Sequence, residues 1–414
     1  MSVIYPLLAV RALALHTQGL ITAEINQPPS TLDTIYAQVE NLGCVQIDTL
    51  QVVQRSHYLV LWSRLGLYSP QDFDRLIYEP QQRRLFEGWQ HAASIIPLVD
   101  YRYQMPHQRK LRETPAELSA SWLNEPGSKD LLESVLSRIQ QEGALRVADF
   151  EYDGPKRGSW WDWKPAKNAL EHHLAWGNLM ISQRHNFQRV YDLAGRVLPR
   201  WVDTREPSAD ERDRFWLEQA FRALGACQPG MAADYAFMKR GRAAPLVKNL
   251  IAEGIIVEIQ ATLQDGGVYS LLVHRQNLPA LEQAASGAIV PERTTFLSPF
   301  DNLFWARGRD KLFWNFRNVL EAYKPAPTRT WGYFCMPILH RDRLIGRFDP
   351  RLDRKNKRLS LKSLYLESGV ELEEDLLASV AAAMRAFLAF HAAIDVVIEN
   401  SYPQEFADRL ENYL

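Results

Sequence analysis

Pro245-Leu246-Val247-Lys248-Asn249-Leu250-Ile251-Ala252-Glu253-Gly254, then Ile255-Ile256-Val257-Glu258-Ile259, then Asp265-Gly266-Gly267, then Val268-Tyr269-Ser270-Leu271-Leu272, reads as a helix closed by glycine, a strand, a tight turn and a return strand. The Asp-Gly-Gly tip suits a hairpin because glycine takes positive φ without steric cost. The same order occurs earlier in the chain. Asn168 to Trp176 reads as a helix ended by Gly177, followed by Leu179-Met180-Ile181, a polar tip at Arg184-His185-Asn186 and a return strand at Val190-Tyr191. Helical patterns precede each copy, at Asp130–Glu142 and Asp210–Leu224. Helix, helix, hairpin is the outline of a winged helix-turn-helix, the last helix reading as recognition helix and the hairpin as wing.

Working outward, the N-terminal region shows a related outline. A helix is expected from about Leu7 to Leu20 and another after Ser30, an N-cap residue with Asp33 three positions on. Ile35, Val39 and Leu42 form the apolar stripe of that second helix, and Gly43 closes it. A short strand and a helix through Leu50, Val53 and Leu61 complete the unit. From Thr294 the pattern changes to short β-rich segments, Tyr333–Leu339, Leu344–Phe348 and Leu359–Leu366, with a helix over Glu371–Ala393. The expected class is mainly α with α+β modules: three tandem winged helices, 1–105, 106–200 and 201–285, then a β-barrel-like domain with a C-terminal helix, 286–414. Linkers rich in proline and charge are expected at Pro106–Gly127 and Pro199–Pro207.

The chemistry concentrates in the short strand of the first unit. In Val45-Gln46-Ile47-Asp48 the side chains alternate, so Val45 and Ile47 point into a core and Gln46 and Asp48 share the opposite face. A carboxylate and a carboxamide on one face can hold a water between them, one as base and the other as positioner. The plainer reading of the same residues is a polar strand edge, with Asp48 capping the next helix.

The run Val45-Gln46-Ile47-Asp48-Thr49-Leu50-Gln51-Val52-Val53-Gln54-Arg55-Ser56, continued through Gly66, resembles the signature of the YcaQ/AlkZ family of winged-helix DNA glycosylases, in its Gln-apolar-Asp branch. Trp89-Gln90-His91, Trp160-Trp161-Asp162-Trp163-Lys164-Pro165, Asn186–Leu193, Leu297-Ser298-Pro299-Phe300-Asp301, Tyr323-Lys324-Pro325-Ala326-Pro327 and Gly346-Arg347-Phe348-Asp349 match in the family's order. One departure stands out: the family commonly has Trp-x-His-Glu-Ala, and this chain has Ala92 after His91. The resemblance implies bacterial enzymes that unhook interstrand crosslinks, Asp48 and Gln46 as the catalytic pair, and His91 as a possible accessory residue.

The implied substrate fits that pair. N7-alkylguanine is cationic, so its glycosidic bond is weakened and the base leaves neutral without a strong acid. What such a site supplies is negative charge beside the developing oxocarbenium ion, and a water. No lysine occurs between Met1 and Arg109, so a Schiff-base nucleophile, and with it lyase activity, is not expected of this site. Backbone contacts to DNA are expected from Arg55, Arg64, Lys156, Arg157, Arg184, His185, Arg347 and Arg351. The competing function is a winged-helix transcription regulator without catalysis. Asp48 argues against it, because a carboxylate facing DNA repels phosphate.

Composition agrees with a DNA-searching enzyme. The 414 residues carry 46% hydrophobic and 23% charged side chains, ordinary for a globular protein. Net charge is −1, yet Arg341 to Arg358 holds eight Lys/Arg against three Asp, a local excess of +5. A polar chain with one basic face binds DNA and lets go. Cys44, Cys227 and Cys335 are odd in number and widely spaced, suggesting neither disulfides nor zinc. Neither a membrane-length apolar run nor a signal peptide is evident. The expectation is a cytoplasmic, nucleoid-associated monomer without metal or cofactor, whose partner is double-stranded DNA with alkylated or crosslinked guanine.

Overall fold

The structure is a computed structural model that describes residues 3–23, 30–115, 117–150 and 165–414. The protein is mixed α/β, with a curled half-barrel sheet toward the C-terminus. The chain forms two compact units. One comprises Met1–Pro70, Gln90–Ser94 and Trp216–Leu414; the other comprises Gln71–Trp89 and Ile95–Phe215. The four-part division expected from sequence is finer than these units and cuts the chain at other places.

In the second unit, helices Ser128–Glu142 and Pro165–Ala175 precede a hairpin of Leu179–His185 and Gln188–Leu193. Val135, Ile139, Ala169, Leu170, Leu179, Ile181 and Tyr191 are buried together, so both helices lay their apolar stripes on one face of the hairpin. Asn186 and Phe187 take positive φ at the tip. The stretch expected to be a linker, Pro106–Gly127, is instead largely helical, with Met105–Glu113 and Glu117–Leu123. Pro106 sits in the first turn, where its missing N–H is harmless, and Trp122 and Leu123 pack on the unit's core. Residues 199–207 hold neither helix nor strand.

The first unit contains the stretch quoted at the outset. Its helix runs Arg240–Ala252 and its hairpin pairs Ile256–Thr262 with Val268–His274. Ile4–Tyr5 adds a parallel strand to that hairpin, and Ala226–Cys227 an antiparallel one. Helix Leu7–Thr17 is buried nearly all round; Leu13 and Leu15 share a core with Leu271, Val273, Leu281 and Phe313. Helix Leu32–Leu42 buries Ile35, Val39 and Leu42 as its periodicity requires, but its cap is Thr31, not Ser30. Thr31 and Thr34 exchange the two bonds of a capping box, and Gly43 ends the helix at φ +80°.

The C-terminal sheet orders Thr294–Phe296, Met336–His340, Arg343–Asp353, Arg358–Leu366 and Asp395–Ile398, with Ser401–Tyr402 also pairing on Arg358–Leu366. Register shifts at Ile338/Leu339 and Asp349/Pro350 bend it. Helix Glu374–Phe390 closes its concave side, where Phe387 meets Phe296 and Phe348 edge-on. Trp62, from helix Ser56–Leu65, inserts against Phe387 at 4.9 Å. This packing joins the helix that follows Gln46 and Asp48 to the helix Glu374–Phe390.

Candidate active site around Gln46 and Asp48

The strand is shorter than the alternation suggests. It covers Val45–Gln46 only, and Ile47 extends it by donating its N–H to the Ala93 carbonyl at 2.8 Å. Val45 and Ile47 are buried, while Gln46 and Asp48 are half-buried. Asp48 therefore stands where the strand gives way to a loop. Its Oδ1 accepts the Leu50 N–H at 2.8 Å, an Asx-type turn that fixes the carboxylate at the start of the loop. The helix expected through Leu50 begins instead at Ser56, so Asp48 caps a turn, not a helix.

The loop from Asp48 to Arg55 is held from three sides. Arg55 donates through Nη1 to the Thr49 carbonyl at 3.0 Å, and Gln51 bridges back to Arg55. Arg354, at the tip of the Arg343–Asp353/Arg358–Leu366 hairpin, donates to the Val53 carbonyl at 2.7 Å. Behind the loop, Ser56 Oγ lies 3.0 Å from Ser298 Oγ, and Asn302 Nδ2 donates to the Cys44 carbonyl at 2.9 Å. Tyr235 donates its hydroxyl to the Leu42 carbonyl and receives a second Asn302 bond. The segment Ser298–Asn302 thus braces both ends of the run that carries Gln46 and Asp48.

Among the described residues, no side chain hydrogen-bonds the Asp48 carboxylate or the Gln46 carboxamide. Burial pushes the Asp48 carboxyl up; the N–H groups of Leu50 and Thr49 and the nearby Arg55 charge only partly offset it. A half-buried carboxylate kept out of ion pairs, beside an unengaged amide, suits a general base with its water positioner.

A model of the DNA glycosylase AlkZ-like family matches residues 39–390. The chain belongs to the AlkZ-like DNA glycosylase family. Membership places it among the DNA glycosylases of DNA repair. Among solved structures, the Streptomyces sahachiroi DNA glycosylase AlkZ resembles it in fold, at TM-score 0.61 and 14% identity, over 96% of this chain and 100% of that one.

Three arginines expected to face DNA are committed elsewhere in this AlkZ-like chain. Arg64 is fully buried and makes a two-pronged ion pair with Asp301, at 2.7 and 2.8 Å, while its Nε donates to the Gln18 carbonyl. Arg184 is locked onto buried Glu87 at 2.6 and 2.7 Å and lies over the Phe187 ring. Arg347 pairs with Glu367 at 2.6 Å, between the rings of Phe316 and Trp331. Each guanidinium has its donors used within the protein, so none is available to a phosphate. Arg55 is half-buried and ties its own loop, whereas Arg351 and His185 are exposed. Lys156, Arg157 and the Trp160–Pro165 tract lie outside the described residues, apart from Pro165 itself, which opens a helix.

His91 stacks flat on Trp305, with centroids 4.2 Å apart, and Nδ1 lies 3.4 Å from the Tyr235 carbonyl. Burial pushes its pKa down, and no hydrogen bond joins it to Asp48 among the described residues. Among those residues no group of three His, Cys, Asp or Glu is placed to hold a metal ion, and no helix is long and apolar enough to cross a membrane. Sequence reasoning missed the bracing role of Ser298 and Asn302, and the presence of Tyr323 within electrostatic reach of Asp48. The signal was available: both residue runs carry the family resemblance, yet neither holds an obviously reactive side chain beside Asp48 in sequence.

Proposed function

We propose that the protein is a monofunctional glycosylase that hydrolyses the N-glycosidic bond of N7-alkylguanine in duplex DNA and unhooks interstrand crosslinks made through N7. The observation that carries this reading is the unpaired Asp48 carboxylate beside the unengaged Gln46 amide, on a loop braced by Ser298, Asn302 and Arg354. As the C1′–N9 bond lengthens, its electron pair neutralises the cationic base and positive charge moves to the sugar. Asp48 stabilises that charge and accepts a proton from the water whose oxygen bonds C1′; Gln46 orients the water. The products are a neutral alkylated guanine and an abasic sugar. No lysine takes part in this step, so the excision itself leaves the strand uncut.

Arg351, Lys355 and Lys357 project near the hairpin tip whose Arg354 touches the catalytic loop, and none is in an ion pair among the described residues. They would guide the phosphate backbone past Asp48. Incubation with duplex DNA containing N7-methylguanine, followed by alkaline cleavage, tests the function: strand breaks at the lesion only after alkali are expected. Absence of breaks would refute it, and breaks before alkali would refute the monofunctional assignment.

A further inference from the structure

Tyr323 is the most exposed aromatic side chain of the described residues, at 74% of its surface, and its hydroxyl has no hydrogen-bond partner among them. Such a ring usually sits on a loose loop, where fixing it on a ligand costs conformational entropy. This loop is already fixed. The neighbouring Glu321 is buried, and its carboxylate accepts from Lys324 Nζ at 2.8 Å, Thr330 N–H at 2.9 Å and Trp331 N–H at 2.7 Å. Burial alone would raise this carboxyl, but Lys324 and the N–H groups of Trp331, Thr330 and Gly332 outweigh it and hold the pKa at about 2. Arg329 Nε ties back to the carbonyls of Glu321 and Lys324, and Pro325 and Pro327 stiffen the turn between them.

Both ends of the loop are anchored, one of them on a run that braces the segment carrying Gln46 and Asp48. Asn318 Nδ2 donates to the Pro299 carbonyl at 3.0 Å, within the same Ser298–Asn302 run that braces Cys44 and Ser56. At the other end, Asp349 accepts the N–H groups of Tyr333 and Phe334 at 2.7 and 2.8 Å. Partial desolvation raises the pKa of the Tyr323 hydroxyl even though its ring is mostly exposed, and the Asp48 charge adds to the rise.

We propose that Tyr323 is a DNA-contacting residue of this site, whose ring stacks on a nucleobase beside the lesion and so holds the damaged nucleotide's glycosidic bond against Asp48 and Gln46. The inference rests on the reading of Asp48 given above. Stacking on an aromatic face tolerates any base, because every base offers a π-face. The pinned loop means that little ordering is required when the contact forms.

The test uses the full chain and a duplex with 2-aminopurine beside N7-methylguanine. Two signals are read: single-turnover excision, and the 2-aminopurine fluorescence change on binding, the latter in an Asp48→Asn background. Tyr323→Ala should slow excision by about ten- to a hundredfold and abolish the fluorescence change, while Tyr323→Phe and Tyr323→Trp should restore most of both. Parental excision by Tyr323→Ala with unaltered fluorescence would overturn the proposal. So would Tyr323→Phe behaving like alanine, since the hydroxyl and not the ring face would then be at work. If Asp48→Asn alone excised at the parental rate, the catalytic reading would fall, yet the fluorescence contrast would still decide the stacking.

Discussion

Replacing Asp48 by Asn removes one negative charge and little else. The carboxamide oxygen can still accept the Leu50 N–H, so the turn that aims the side chain is kept. The loop also keeps its bonds from Arg55 and Arg354, neither of which involves the Asp48 side chain. The charge sits half-buried, and its raised pKa reports that water screens it incompletely. An effective dielectric near 20 is therefore the appropriate scale, and a carboxylate about 4 Å from the oxocarbenium centre contributes roughly 4 kcal/mol there. At about 1.4 kcal/mol per decade, the expected loss is between a hundred- and a thousandfold in single-turnover excision. Stability should move the other way. A carboxyl whose pKa is raised by folding disfavours the native state once it ionises, so the neutral variant should melt at or above the parent's temperature near pH 7. DNA affinity should hold or rise, because a charge that repels phosphate is gone. Excision of N7-methylguanine, read by alkaline cleavage and corrected for spontaneous loss, is the deciding assay. A variant that folds, binds DNA and excises at the parental rate would refute the assignment.

The remaining expectations concern pH, salt, stability and scope. If Asp48 acts as proposed, its ionised form is the active one, and because burial raises its pKa above the ordinary aspartate value the acid limb of a pH–rate profile should start above that value; a limb at or below it would contradict the reading. Neutralising Arg351 and Lys355 together should flatten the plot of log binding constant against log salt by about two units, and an unchanged slope would assign them to solvated surface. Arg64→Met should leave that slope alone but cost about 3–5 kcal/mol in urea unfolding, since Asp301 would be left buried without its partner. Selectivity that comes from the lability of a cationic adduct should admit N7–N7 crosslinks and reject uracil; one gel comparing crosslinked, N7-methylguanine and uracil duplexes checks it, and comparable excision of uracil would count against it.

The parts of this structure that could be read in the sequence are those governed by near neighbours. The stripe Ile35, Val39, Leu42, the stop at Gly43 and the turn at Asp265-Gly266-Gly267 depend on residues a few positions apart, and all are found. The cap fell one residue later than expected because adjacent Ser30 and Thr31 each have a hydrogen-bonding side chain three positions on, and it is Thr31 and Thr34 that exchange the bonds. What sequence could not show is pairing at a distance. Arg64 and Asp301 are 237 positions apart and Arg184 and Glu87 97 apart, so both arginines looked like free cations. Arg347 was hidden in the same way by Glu367, across the neighbouring strand. The candidate pair itself was legible as two residue types one position apart, but the early end of the strand at Gln46 was not.

The bracing of the catalytic loop also sets an order of events during synthesis. Ser298, Asp301, Asn302 and Arg354, which fix Ser56, Arg64, Cys44 and Val53, leave the ribosome some 250 to 300 residues after Gln46 and Asp48. A nascent chain holds both reactive groups and lacks the frame that aims them. An enzyme that makes abasic sites is hazardous in fragments, and on the proposed reading competence waits until Arg354 has been made.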